Sequence, residues 1–111
     1  MQKTVLCIDN DPSILMIYRA ILADSGYNVL VVLDGHLGLN LLDHHKVDAA
    51  VIDYEMPEMD GGRVAMELSI RKADVPIVLL SGYNDIPVGV MGHVQAFAEK
   101  PFHSGATPAQ H

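Results

Sequence analysis

Val5-Leu6-Cys7-Ile8 runs straight into Asp9-Asn10-Asp11-Pro12, and this stretch decides the fold. A short, continuous apolar run fits a strand buried on both faces, as in a parallel sheet. Asp11-Pro12 then reads as a helix start, with a carboxylate at the N-cap and proline at the first helical position. The pattern of an apolar run ending on a polar group returns along the chain. Ala49-Ala50-Val51-Ile52 ends on Asp53, Ile77-Val78-Leu79-Leu80 ends on Ser81, and Ala96-Phe97-Ala98 ends on Glu99-Lys100. In open parallel sheets, ligands sit outside the carboxyl ends of the strands. Parallel strands would therefore gather carboxylates, a hydroxyl and an ammonium on one edge.

Working outward, the apolar runs predict strands near 3–8, 28–33, 48–53, 76–80 and 95–98. Helical periodicity predicts helices near 12–24, 35–45 and 61–72, with a weaker one near 86–92. Ser25-Gly26 stops the first helix, Asp60 caps the third, and Glu67 with Arg71 forms an i,i+4 pair there. Alternation of this kind implies a parallel α/β sheet with right-handed crossovers. Residues 103–111 carry Gly105 and Pro108 and little apolar periodicity, so they read as a tail.

At 111 residues the chain is one domain, and half of it is hydrophobic, enough for a real core. Fourteen acidic and seven basic side chains give a formal charge of −7. That balance argues against nucleic acid as a direct ligand, because phosphate backbones need clustered Lys and Arg. No apolar stretch approaches a membrane span, and the start of the chain has Lys3 and a strand-length apolar run rather than a signal peptide. A cytoplasmic location is the expectation. Cys7 is the single cysteine, which rules out an internal disulfide.

Asp53 is the centre of the functional reading. A strand-end carboxylate with a metal nearby can attack phosphorus and form an acyl phosphate. Standing alone, such a residue would more commonly be a loop or cap carboxylate. Asp9, Ser81 and Lys100 at equivalent strand ends change that balance. The run Asp53-Tyr54-Glu55-Met56-Pro57-Glu58-Met59-Asp60-Gly61, preceded by Asp9-Asn10-Asp11 and followed by Ser81 and Lys100-Pro101-Phe102, resembles the receiver domain of two-component response regulators. The resemblance spans residues 3–102.

The resemblance implies a three-layer, doubly wound, five-stranded parallel sheet of the flavodoxin-like (CheY-like) class, with residues 1–102 as the receiver domain. It implies that Asp53 accepts phosphate from a sensor histidine kinase or phosphotransfer protein, and that the protein signals by changing shape rather than acting as an enzyme. Mg²⁺ is the implied cofactor, held by Asp9, Asn10, Asp53 and the backbone carbonyl of Glu55. Ser81 and Lys100 are the implied phosphoryl-binding partners, and Ser81 with Phe97 the switch pair. Elementary chemistry agrees, since Mg²⁺ wants oxygen ligands and a transferring phosphoryl group needs cations and donors around it. The chain departs from the family at Asn10, where the second acidic residue is replaced by an amide. Weaker metal binding is expected there.

Two other readings stay open at this stage. A pseudo-receiver would keep the fold and ignore phosphate, which Asn10 would favour. A phosphohydrolase of the haloacid-dehalogenase type would centre on Asp9 and Asp11, with Leu80-Ser81-Gly82 and Lys100 mimicking its later motifs. It lacks a later acidic metal motif and leaves the Asp53 loop unexplained. Cys7 reads as a small buried hydrophobe, and His44-His45 as the end of a helix rather than a metal pair. The sequence after Phe102 is too broken for the family's fifth helix. That absence predicts a bare sheet face bordered by Ile14, Ile17 and Ile21, and a homodimer through it.

Overall fold

The computed structural model describes residues 2–56, 60–72, 74–81 and 96–99, with residues 81 and 96–99 described by their backbone. In chain order the elements are β1 (Thr4–Ile8), α1 (Pro12–Asp24), β2 (Asn28–Val32), α2 (Gly35–Leu42), β3 (Ala49–Asp53), α3 (Gly61–Arg71), β4 (Ile77–Ser81) and β5 (Ala96–Glu99). The strands form one five-stranded sheet in the order β2-β1-β3-β4-β5, and every adjacent pair is parallel. Each strand lies within a residue or so of the run predicted for it.

Side-chain alternation along the strands sorts the core into layers. Leu6, Ile8, Ala50, Ile52, Ile77 and Leu79 pack with Leu39 and Leu42 of α2 and with Val64, Ala65 and Leu68 of α3. Val5 and Cys7 face the other way and pack with Leu15 of α1, beside the half-buried Tyr18, Leu22, Val29, Val31 and Val51. The result is α1, then the sheet, then α2 with α3, the three-layer arrangement expected. Burying one Leu or Ile side chain is worth roughly 1.5–3 kcal/mol, so among the described residues the cluster facing α2 and α3 is the larger contributor.

The three helices among the described residues each begin on an aspartate. Asp11 accepts from Ser13 N–H at 2.9 Å, Asp34 from Leu37 N–H at 2.8 Å, and Asp60 from Arg63 N–H at 2.8 Å. Each carboxylate also meets the positive end of its helix. α1 ends at Ser25, and Gly26 turns the chain at φ +95°, a backbone region that glycine enters without penalty. α2 stops at Leu42, short of the predicted 45. Its hydrogen bonds tighten there, with Asp43 N–H donating to Asn40 and His44 N–H to Leu41, each three residues back. Arg71 ties α3 to this end of α2, 3.2 Å from Asp43 Oδ2, and lies 4.0 Å from Glu67.

Ile14, expected at the edge of a bare face with Ile17 and Ile21, is only 1% exposed and belongs to the core. Ile17 and Ile21 are exposed, as is Met16. The helix expected near 86–92, the tail 103–111 with the domain limit at 102, and the absence of a fifth helix all lie outside the described residues.

Candidate functional site

The strand order fixes where a site can form. β1 is followed by β2 on one side of it, while β3 lies on its other side. Chain connections leave the carboxyl ends of β1 and β3 toward opposite faces of the sheet, which opens a crevice between them. The β1–β3 register pairs Cys7 with Val51 and Ile8 with Ile52, so the next step brings Asp9 beside Asp53.

Both acids are 1% exposed, and they are the buried charged side chains among the described residues. Neighbouring strands lie ~4.8 Å apart, so two like charges at adjacent strand ends repel each other. Burial adds a desolvation cost to each ion. A fold that keeps such a pair at its switch point is suited to a positive guest.

Both carboxylates are aimed by the same device. Asp11 N–H donates to Asp9 Oδ1 at 2.9 Å, and Glu55 N–H donates to Asp53 Oδ1 at 3.2 Å, in each case from two residues ahead. The loop after Asp53 is tied down at both ends. Tyr54 N–H donates to the Leu80 carbonyl at 2.8 Å, extending the β3–β4 pairing, and Gly61 N–H donates to the Tyr54 carbonyl at 2.8 Å. Met56 is buried and joins the core below the loop. Gly61 sits against backbone. A Cβ there would lie 2.6 Å from Tyr54 Cα and 2.7 Å from Asp53 C, and nearer still to Asp53 O. Only glycine allows α3 to start this close to the end of β3.

Asn10 is exposed at the mouth of the crevice. Asp11 turns away to cap α1, as its position before Pro12 predicted. Glu55 is half-buried beside Asp53. Ser81 closes β4, one step beyond the Leu80 that pairs with Asp53, and its backbone pairs with Glu99. Phe97 lies on β5 in register with Leu79. Lys100 lies outside the described residues. The structure thus brings Asp9, Asn10, Asp53, Glu55 and the Ser81 backbone to one edge.

The donor set suits a hard cation. Asp9 and Asp53 offer carboxylate oxygen, Asn10 an amide oxygen and Glu55 a carbonyl. Among the described residues no group of three His, Cys, Asp or Glu is placed to hold a metal. A cation bound by two carboxylates would keep several waters, as Mg²⁺ characteristically does.

Cys7 lies next to this site but contributes no nucleophile. Burial pushes its thiol up to about 12, and the negative charge of Asp9 adds to the effect. His44 places Nδ1 3.0 Å from the Asn40 carbonyl at the end of α2, the terminal role expected of it. Two features escaped the sequence reading, the close approach at Gly61 and the burial of Met56. The Asp60-Gly61 pair is the sequence signal nearest to the first of these, and by itself it marks a helix start.

Comparison with known proteins gives a consistent picture. The profile of the Response regulator receiver domain family matches residues 5–106. The chain is 31% identical over 105 residues to the transcriptional regulatory protein GlrR of Escherichia coli, covering 92% of this chain and 24% of GlrR. It is 31% identical over 106 residues to the response regulator GtcR of Aneurinibacillus migulanus, covering 93% of this chain and 43% of GtcR. The chain therefore spans less than half the length of these relatives. Among solved structures, the response regulator TrrA of Thermotoga maritima, in complex with Mg²⁺ and BeF, superposes with a TM-score of 0.83 at 27% identity, over 91% of this chain and 89% of TrrA. The chemotaxis protein CheY4 of Vibrio cholerae shares the fold with a TM-score of 0.84 at 24% identity, over 93% of this chain and 90% of CheY4.

Proposed function

We propose that this chain, which belongs to the response regulator receiver domain family, accepts a phosphoryl group on Asp53 and passes the signal on as a change of shape. The observation that carries this reading is the position of Asp53, buried beside Asp9 at the switch point of the sheet with the loop behind it pinned at both ends. The donor is the phosphohistidine of a sensor kinase or phosphotransfer protein. A carboxylate oxygen of Asp53 attacks phosphorus, a P–O bond forms, and the P–N bond breaks. The electron pair leaves on the imidazole nitrogen, which takes a proton from solvent. The Glu55 N–H holds the plane of the carboxylate during that attack.

Mg²⁺, held by Asp9, Asp53, the Asn10 amide and the Glu55 carbonyl, would supply positive charge to the phosphoryl oxygens. The hydroxyl of Ser81 and the ammonium of Lys100 complete the set, and Ser81 with Phe97 carries the change of shape outward. These roles rest on the family resemblance of the motifs. The domain acts as a phosphorylated switch rather than as an enzyme on other substrates, with at most its own phosphorylation and dephosphorylation catalysed. Its acidity, −7 overall, argues against direct contact with nucleic acid. No helix among the described residues is long and apolar enough to cross a membrane. Family membership supports a cytoplasmic location and a role in bacterial signalling.

The phosphohydrolase reading loses its second carboxylate, because Asp11 Oδ1 is committed to the N-terminus of α1. The decisive experiment is incubation with acetyl phosphate and Mg²⁺, then intact mass and peptide mapping. An adduct on Asp53, abolished in Asp53→Asn, is expected. An adduct on Asp9 would restore the phosphohydrolase, and none at all would leave a pseudo-receiver.

A further inference from the structure

We propose that the open edge of β2 joins two copies of this chain, which pair there across a two-fold axis as antiparallel strands.

β2 ends the sheet, with β1 its neighbour on one side. Asn28 N–H donates to the Lys3 carbonyl at 2.8 Å, and the Val32 carbonyl accepts from Asp9 N–H at 3.2 Å. Asn28, Leu30 and Val32 therefore turn their backbone groups toward β1. These directions alternate along a strand, which leaves the N–H and C=O of Val29 and Val31 on the outer side. Folded proteins usually guard such an edge with lysine, proline or a bulge. The run Ser25-Gly26-Tyr27-Asn28-Val29-Leu30-Val31-Val32-Leu33 carries no charge and no proline, and its register with β1 is unbroken. In a chain of net charge −7, two copies can bring this stretch together without acid meeting acid.

The edge is self-complementary. A two-fold axis through Leu30 sets Val29 opposite Val31 of the second copy, and Val31 opposite its Val29. Each such pair exchanges both N–H···O bonds, so the outward groups of both valines are satisfied. An axis through Val29 would set Val31 against Tyr27, whose N–H is already held by the Leu22 carbonyl at 3.1 Å. An axis through Val31 would set Val29 against Leu33, beyond the end of the strand.

α2 supports the axis through Leu30. Leu37, Asn40, Leu41 and His44 follow helical spacing and line a groove of about 310 Å³ with Val32 and His45. Leu33 and Leu37 beside it are exposed. The two-fold lays the two α2 helices antiparallel over the joined edge, so each groove receives the stripe of the other copy. Their ends then match in charge. Asp34 stands at the start of α2, and His44, His45 and Lys46 follow its end. Asp43 at that end is already met by Arg71, 3.2 Å away. Asp53 lies on β3, with β1 between it and the joined edge, so both crevices stay open.

The test is sedimentation of the whole chain across a concentration series, with Val29→Pro, Leu37→Lys and Ile21→Glu beside the wild type. A wild-type dimer is expected. Val29→Pro removes a donor that β1 does not use, from each copy, and should weaken association about 10- to 100-fold while keeping the circular dichroism of the fold. Leu37→Lys sets a cation against the second copy's basic end and should weaken association too. Ile21→Glu, on the exposed side of α1, should leave it unchanged. Amide exchange of the wild type needs no variant to fold: Val29 and Val31 N–H should exchange more slowly as the dimer forms. A strict monomer at millimolar concentration would overturn the proposal. So would fast exchange of both amides within a dimer, or a dimer broken by Ile21→Glu and untouched by Leu37→Lys.

Discussion

Gly61→Ala is the sharpest test of how the acceptor strand is held. The added methyl would meet the Asp53 carbonyl, with Tyr54 Cα at 2.6 Å and Asp53 C at 2.7 Å. All of these are backbone atoms at the end of β3, paired in register with β4, so none can swing aside. Overpacking of this kind costs about 1–3 kcal/mol, and a helix gains at most ~1 kcal/mol from replacing Gly by Ala. The net loss should sit in the upper part of that range, because the start of α3 or the end of β3 must move. For a domain of this size 1 kcal/mol shifts the melting temperature by roughly 4–8 °C, so a loss of about 2–3 kcal/mol means a fall of about 8–24 °C. Gly38→Ala is the matched control. Its Cβ would meet the side chain of Ile8, at 3.0 Å from Cγ1 and closer to Cδ1, and that chain end can rotate. It should cost clearly less. The assay is thermal melting of both variants beside the rate of Asp53 phosphorylation by acetyl phosphate. Gly61→Ala should be slow as well as unstable, since the backbone that carries the Asp53 carboxylate is what it displaces. A melting temperature within a degree or two of wild type, or a larger loss at Gly38, would refute the reasoning.

Asp11→Ala should lower stability by about 0.5–2 kcal/mol, the usual worth of an N-cap, while leaving the resting Mg²⁺ affinity nearly unchanged because that carboxylate serves α1. Leu68→Ala opens a cavity where the side chain is 0% exposed in the main core, and calorimetry or denaturant melts should show a loss of ~2–5 kcal/mol. The Cys7 thiol, held neutral in the fold to about 12 against its ordinary 9.0, is ionised first in the unfolded chain. Stability relative to Cys7→Ala should therefore be constant below pH 9 and fall as pH rises from 9 toward 12, and equal slopes for the two proteins would contradict this. Ser81→Ala and Lys100→Ala should fold with little change in melting temperature and blunt the beryllofluoride-induced shift in structure; unfolding of either would show a structural residue where a phosphoryl partner was expected.

The architecture was legible because its elements carry strong local signals. Ala49–Asp53 and residues 77–80 are buried or half-buried throughout, so their apolar composition alone marks them as strands. Asp11-Pro12 and Asp60-Gly61 mark helix starts by capping chemistry that needs no tertiary information. The end of α2 was harder, since Leu41-Leu42 continues the apolar periodicity while the backbone already tightens to three-residue bonds. Helical spacing groups Ile14 with the exposed Ile17 and Ile21, yet Ile14 is buried. Its burial is a matter of tertiary packing, which no local pattern states. The Gly61 contact was illegible for the same reason: a sequence does not show which backbone will pass within van der Waals distance.

The carboxylate pair shows most clearly what register adds to pattern. Apolar runs ending on Asp9 and Asp53 say only that both acids reach the same edge of a sheet. Their apposition needs β1 and β3 to be neighbours and to pair Ile8 with Ile52, and β2 to lie on the far side of β1. A slip of one residue would turn one acid into the core cluster with Ile52 and leave the other alone. The apolar side chains of both strand faces forbid that slip, because each strand is locked between α1 on one side and α2 with α3 on the other. The hydrophobic core thus does two jobs with one set of residues. It stabilises the domain, and it holds two like charges together against their repulsion at the place where a cation can bind.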